Sequence, residues 1–336
     1  MTNIHDWNDI SEKYQHSILL GNGASIAIDG CFSYKSLLKT SKDIKLISTN
    51  IDMIFKYLET EDFEYVLSLL WHTYHINTAL QIKESVSYHT YQELRNALIG
   101  TVRHNHTTVE AVRPFIKSIY NFLKRFSVIV SLNYDLIIYW SILEGNNELG
   151  NWFKDCFVSG SFPDNWSGFS KPYNAKGASL LFYPHGNLVL STDIYGNETK
   201  INVTDGINLL NKILKQWESG TTIPLFVSEG LSEQKLKAIK RSHYLSTLYD
   251  SVLPAVGPTL VIYGWSMEEM DFHILKQLAK ARLTDIAVSV YTDRPQVEIY
   301  KDINRMEQQL NRAGIKADID FFDSCSENCW IKTIVS

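Results

Sequence analysis

Six short apolar runs, each halted by a polar cluster, constrain what this chain can fold into more than any other feature of its 336 residues. They are His16–Leu20, Ser127–Leu132, Leu180–Tyr183, Ile223–Val227, Thr259–Tyr263 and Ile286–Tyr291. Runs this short, without polar alternation, read as strands buried on both faces. Between them lie stretches with helical spacing, among them Leu136–Leu143, the amphipathic Ser232–Tyr249 and Met267–Ala281. Strands alternating with helices argue an α/β, Rossmann-like fold: a mostly parallel sheet with helices on both faces. Ligands of such sheets sit beyond the carboxyl ends of the strands. Every polar stop lies there, at Gly21–Ser25, Asn133–Asp135, Pro184–Gly186, Ser228–Gly230, Gly264–Ser266 and Thr292–Asp293, so the six are expected to converge on one cleft.

The text changes between about residues 43 and 126. Apolar residues fall at helical spacing (Ile51, Ile54, Phe55, Leu58, then Val66, Leu69, Leu70) and glycine is absent until Gly100. This reads as a helical insertion between the first two core strands of a single domain spanning 1–336. It leaves beside the glycine turn and is expected to pack near the mouth of the cleft. Trp71, Tyr74, Tyr88 and Tyr91 read most simply as its core aromatics. Residues 145–178, rich in Gly, Asn, Ser and Trp, read as surface loops.

Several function classes are disfavoured. Lys plus Arg number 32 against 37 Asp plus Glu, a net charge of −5 with no basic stripe, so nucleic acid is not expected as primary ligand. No apolar run approaches the length of about 18 residues that a membrane span needs, and residues 1–14 are polar, so a soluble, cytoplasmic protein is expected. Cys31, Cys156, Cys325 and Cys329 do not form a disulfide framework. Cys325 and Cys329 lack a second pair, so no metal is expected.

Among the polar stops, Gly21 and Gly23 let backbone N–H groups approach a diphosphate, although the third glycine of the dinucleotide fingerprint is missing. Asn133 carries an amide donor and an acceptor without charge, suited to fixing a carboxamide or a water; it also fits a plain helix cap. His185 can take a proton near neutral pH, and its place at the third strand end separates it from His72, His75, His89, His104 and His106 in the insertion. Asp135 can orient Asn133 or cap the helix after it. Ser25, Ser266 and Asp293 are candidate ribose and phosphate contacts. Asp271 is a further binding candidate; His273, two positions on, is expected to face another way.

Taken together, these stops resemble the sirtuin family in order and residue type. The sirtuin pattern opens with Gly-Ala-Gly-x-Ser, which Gly21-Asn22-Gly23-Ala24-Ser25 resembles; Leu132-Asn133-Tyr134-Asp135 is similar to its Gln-Asn-Ile-Asp, with Leu in place of Gln. His185-Gly186 looks like its catalytic His-Gly, Val227-Ser228-Glu229 like its Phe-Gly-Glu, and Gly264-Trp265-Ser266 like its Gly-Thr-Ser. Within SIR2-like proteins, Leu225–Gly230, Lys235-Leu236 and Arg241–Leu245 resemble a bacterial branch of the DUF4917 type. The resemblance covers residues 17–30, 127–143, 180–190 and 222–293.

The resemblance implies NAD⁺ as substrate, Asn133 and His185 as catalytic residues, and Gly21, Gly23, Ala24, Ser25, Asp135, Glu229, Gly264, Ser266, Asp271 and Asp293 as the NAD⁺-binding set. It implies an NAD⁺ glycohydrolase acting as an antiphage effector, kept silent until self-assembly or a partner encoded nearby activates it. Residues 187–224 contain no cysteine, so the zinc ribbon of sirtuin deacylases is missing. Residues 26–42 also lack the arginine that sirtuins place after the glycine motif. Both departures point to water as acceptor. A protein deacylase or ADP-ribosyltransferase, and a non-catalytic NAD⁺ or ADP-ribose sensor, are the alternatives.

Overall fold

The computed structural model describes residues 3–33, 36–83, 85–172, 176–193, 195–201, 208–227 and 230–332. Its strands, in chain order, are β1 (Ile4–His5), β2 (Ser17–Leu20), β3 (Val128–Ser131), β4 (Phe153–Lys154), β5 (Ser179–Phe182), β6 (Gly186–Asp193), β7 (Glu198–Lys200), β8 (Thr222–Phe226), β9 (Thr259–Tyr263), β10 (Asp285–Val290) and β11 (Asp318–Asp323). Eight of them form a sheet in the order β1-β11-β10-β9-β2-β3-β5-β4, and every pairing in it is parallel.

The six central strands of that sheet carry the doubly wound Rossmann order. The chain steps from β2 to β3 to β5 in one direction, then returns to the other side of β2 for β9, β10 and β11. Parallel crossovers are right-handed, so stepping in opposite directions from β2 places helices on opposite faces. Covered on both sides, the strands are buried along their whole length: all four residues of β2 and of β5 are buried, Ser17 and Ser179 included. The same arrangement fixes the ligand crevice. Where the order reverses, between β2 and β9, the following loops diverge and leave a gap at the carboxyl ends.

The run Ile223–Val227 departs from expectation. It becomes β8, and β8 belongs to a separate antiparallel sheet in the order β7-β6-β8. A continuous apolar run shows burial, not strand direction, and here β6 turns back immediately after His185 to receive β8. Gly186 makes that reversal possible, with φ of +76° and no room for a side chain, since a Cβ would lie 2.2 Å from the Leu225 carbonyl oxygen.

The regular structure described between β2 and β3 is helical: a short helix Asn22–Ile26 and a 3₁₀ turn Gly30–Phe32, then helices Leu37–Asp43, Thr49–Tyr57, Phe63–Ala79, Val86–Asn105 and Val109–Leu123. The last of these packs on helix Ile137–Leu149, as a crossover helix does, while Phe63–Ala79 lies against β8 and Val86–Asn105 against helix Leu209–Glu218. The insertion therefore builds a second layer with the antiparallel sheet. Of the four aromatics expected in its core, Trp71 and Tyr91 are buried and Tyr74 and Tyr88 only partly. Among the described residues no helix is long and apolar enough to cross a membrane.

Candidate active site

A cavity of about 900 Å³ opens at the carboxyl ends of β2, β3, β9 and β10 and is lined by the turns that follow them. That is the upper range for small-molecule sites, roughly 300–1,000 Å³. Gly21, Gly23, Asn133, Asp135, His185, Gly264, Ser266 and Asp271 all contribute to its wall. Val227, at the end of β8, reaches the same wall from the antiparallel sheet. Convergence therefore survives the change of sheet.

At the switch point, two turns touch backbone to backbone. Gly21 N–H donates to the Tyr263 carbonyl (2.9 Å) and Gly23 N–H to the Gly264 carbonyl (2.7 Å). A Cβ on Gly23 would sit 2.8 Å from Gly264 Cα, and one on Gly264, whose φ is +67°, would sit 2.4 Å from Ala24 N. The glycines thus serve first to let the two turns close on each other. Gly21 N–H and Gly23 N–H are spent on β9 and its turn rather than held out for a diphosphate. Ala24 lies beneath, fully buried, its carbonyl accepting from Trp330 Nε1 at 2.9 Å.

From β3, Asn133 reaches back to the same turn. Its Nδ2 donates to the Gly21 carbonyl and to Ser25 Oγ, both at 2.9 Å. A carbonyl can only accept, which assigns the amide nitrogen to that side. Both amide hydrogens are committed, and Oδ1 is what Asn133 offers the cavity. The sequence allowed donor and acceptor roles; the structure leaves the acceptor. Ser25 passes the chain on, donating to Asp135 Oδ2 at 2.5 Å, while Asp135 Oδ1 accepts from Ile137 N–H at 2.9 Å. Asp135 both orients Asn133 through Ser25 and accepts the first N–H of the following helix, whose N-cap position is Leu136.

Behind this loop, outside the cavity lining, stands His106 at the end of the insertion. Its Nε2 accepts from Leu136 N–H at 3.0 Å, and its Nδ1 lies 2.7 Å from the Thr107 carbonyl, an arrangement that fits the neutral Nδ1–H form. Burial lowers its pKa. Burial likewise raises that of Asp135, opposed by His106 and by the hydrogen bond from Ser25.

The cavity lining also takes in part of a buried cluster in which His185 and Asp271 are joined by Lys235 and His273, two residues that the sequence did not single out as site members. His185 Nε2 lies 3.0 Å from His273 Nε2 and 4.0 Å from Asp271 Oδ1. Lys235, itself buried, holds Asp271 Oδ1 at 2.8 Å, and Ser232 Oγ accepts His273 N–H at 2.9 Å. Burial pushes His185 well below the usual imidazole range against the pull of Asp271, and takes His273 down to about 4. Burial pushes Asp271 upward, but Lys235 and the imidazoles outweigh it and hold the carboxyl at about 2. Near neutral pH the cluster is an ammonium–carboxylate pair beside two neutral imidazoles.

Asp271 and His273 were expected to face apart because they are two positions apart on one helix. Asp271 instead ends a 3₁₀ turn, Glu269–Asp271, and the α-helix runs only from Phe272 to Leu278. The α-helical angle does not apply across that junction. His185, Asp271 and His273 offer ligand atoms within 4.8 Å of one another, a donor set of metal-binding type. Lys235 occupies its carboxylate oxygen.

Other candidates sit further out. Ser266 is exposed at the mouth; Asp293 is exposed and outside the wall, whereas its neighbour Arg294 lines it. Glu229 lies outside the described residues. No described residue between 43 and 126 lines the cavity, so the insertion does not pack at its mouth as expected. Its apolar faces are satisfied by β8 and helix Leu209–Glu218 instead.

The sequence model of the family described as Domain of unknown function (DUF4917) matches residues 18–330, nearly the whole chain. No curated protein matches it. Similar among solved structures is the one reported as "Structural Basis for the Mechanism and Regulation of Sir2 Enzymes", at 9% identity over 92% of this chain and 97% of that one, with a TM-score of 0.33.

Proposed function

The chain belongs to the DUF4917 family, and on that premise we propose that it is an NAD⁺ glycohydrolase, cleaving NAD⁺ to nicotinamide and ADP-ribose. The observation that carries the reading is that Asn133 and His185 open into one cavity at the topological switch point. Their order along the chain, with the glycine turn before them and Gly264-Trp265-Ser266 after, is the one in which the sequence resembles SIR2-like proteins.

Breaking the nicotinamide–ribose bond builds positive charge on the ribose carbon, so the site must hold the leaving group and place a water. Asn133 Oδ1 accepts from the nicotinamide carboxamide or from the attacking water. As water adds to the ribose carbon, the bond to nicotinamide breaks and the departing electron pair stays on the ring nitrogen. The proton lost by water goes to His185, which burial keeps neutral at pH 7 and whose protonation Asp271 favours against that burial. The absence of cysteine between residues 187 and 224 favours water over an acyl-lysine acceptor.

In the cell we propose an effector of bacterial antiphage defence, depleting NAD⁺ once assembly with itself or a partner encoded nearby activates it; the support is the SIR2-like resemblance of the motifs. Chromatography of NAD⁺ incubated with the purified chain tests the chemistry: nicotinamide with ADP-ribose, or its cyclic form, is expected. Binding without turnover would instead favour a sensor. The cellular role is checked by NAD⁺ content in infected cells carrying the wild type or Asn133→Ala, and unchanged NAD⁺ in both would overturn it.

A further inference from the structure

The contact between His185 and His273 joins two imidazoles through the same nitrogen of each, Nε2 to Nε2 at 3.0 Å. When both rings are neutral, that contact holds one hydrogen, so the tautomer of one ring sets that of the other. His273 is in turn held by Ser232, whose Oγ accepts its backbone N–H at 2.9 Å and lies 3.2 Å from its Nδ1. Its carbonyl accepts from Tyr249 Oη at 3.2 Å. His273 is 1% exposed and is absent from the cavity wall, whereas His185 reaches that wall.

We propose that His273 is a positioning residue for His185: its Nε2 accepts the His185 Nε2–H, its own Nδ1–H donates to Ser232 Oγ, and His185 is thereby held with Nδ1 as the proton acceptor. The proposal rests on the reading of His185 as the group that receives a proton. A base oriented by a third group is the usual requirement where an imidazole must take a proton in one direction. Asp271, 4.0 Å from His185 Nε2, then stabilises the imidazolium that forms, and Lys235 keeps that carboxylate ionised.

The test compares His185→Ala, His273→Ala and His273→Gln with the wild type. Loss of His273 is expected to lower kcat about 10- to 100-fold with KM little changed, the usual scale for a partner orienting a functional imidazole. His273→Gln, whose amide oxygen can accept the His185 Nε2–H, is expected to recover most of it. The acid limb of the kcat profile is expected to move upward in His273→Ala, because His273 and Lys235 both disfavour protonation of His185 while Asp271 favours it. A merely structural role lowers turnover at every pH without moving that limb.

Wild-type kcat and pH profile in His273→Ala, with His185→Ala inactive, would overturn the proposal while leaving the reading of His185 intact. An active His185→Ala would remove the reading itself. ¹⁵N-histidine NMR needs no turnover: His185 is expected as the Nε2–H tautomer in the wild type and as a mixture in His273→Ala. A wild-type His185 carrying its hydrogen on Nδ1 overturns the proposal whatever the activity.

Discussion

Ser25 donates its hydroxyl hydrogen to Asp135 across 2.5 Å, tying the glycine turn after β2 to the polar loop after β3. Because Ser25 also accepts from Asn133, one hydroxyl fixes the direction of the amide that faces the cavity. The loop is thus preorganised by bonds among its own residues, the condition under which a polar group stabilises developing charge without reorganising.

Asn133→Ala and His185→Ala are each expected to lower NAD⁺ cleavage by about 100-fold or more, the scale for a positioned polar or acid–base group. Asn133→Ala also takes one hydrogen bond from the Gly21 carbonyl, which keeps Ala24 N–H, and one from Ser25, which keeps Asp135, costing about 1 kcal/mol. Asn133→Asp is the sharper probe. It turns a carboxylate oxygen toward the Gly21 carbonyl and is expected to destabilise more than Ala. Turnover and denaturant midpoints of the three variants check this, and near wild-type turnover in either alanine variant would remove that residue from catalysis.

At the switch point, Gly264→Ala forces a Cβ to within 2.4 Å of Ala24 N at a φ of +67°. A cost above about 1 kcal/mol is expected from backbone strain alone, with loss of NAD⁺ binding as the turns separate. Gly30→Ala is the control, since a Cβ there meets nothing within 4 Å. Equal thermal midpoints for the two variants would show that the turns can part without cost.

The same positions show what could be read from sequence. Strands β2, β3, β5, β9 and β10 were legible because burial on both faces writes a continuous apolar run. β11 was not, because its text, Asp-Ile-Asp-Phe-Phe-Asp, mixes carboxylates into a strand next to the edge. β8 was legible as a strand but not as a member of the other sheet. Asn133 and His185 could be found at strand ends, whereas His273 enters the site through a 3₁₀-to-α junction that periodicity does not mark. Ser232 and Lys235 arrive on helix Ser232–Arg241, whose spacing reveals only its apolar face.

Stability is expected to fall as the solution is acidified from pH 7 toward pH 4. Burial holds His273 at about 4 in the folded chain, while the unfolded chain keeps it near the ordinary value of about 6.5. Between those values the unfolded state binds the extra proton. The contribution is therefore complete above about pH 6.5 and is lost as pH drops through the window. For this largely buried ring the full difference is on the order of 3 kcal/mol. His273→Gln removes the titration, so its midpoint should change less between pH 7 and pH 5 than that of the wild type. Parallel pH dependences would show that His273 does not titrate with folding.

Metal analysis is expected to find no stoichiometric ion, and chelators to leave NAD⁺ cleavage unchanged. The donors of His185, Asp271 and His273 converge, but the Lys235 ammonium already holds the carboxylate at 2.8 Å and would have to be expelled by a cation. One zinc per chain, lost in His273→Gln, would reverse this.

The insertion carries the last prediction. Tyr57, Leu80 and Val86 are 88, 65 and 71% exposed, and Ile76 and Ile82 are about half exposed; all but Tyr57 lie at the turn joining helices Phe63–Ala79 and Val86–Asn105. Apolar residues grouped so are costly to leave in water and suit a surface covered by another chain. Two contacts connect the insertion to the cavity walls. His106, directly after helix Val86–Asn105, receives Leu136 N–H beside Asp135, and Gln234, one residue before Lys235, donates to the Glu59 carbonyl at 2.9 Å. A second copy seated on this surface is expected to act on the cavity through the insertion and these contacts, without touching the cavity itself. Turnover per chain is expected to rise with protein concentration together with the sedimenting mass. Paired Leu80→Glu and Ile82→Glu substitutions, at exposed positions, are expected to abolish both rises while leaving the fold unchanged. Full turnover by a monomer at every concentration would show that the insertion is a structural lobe and nothing more.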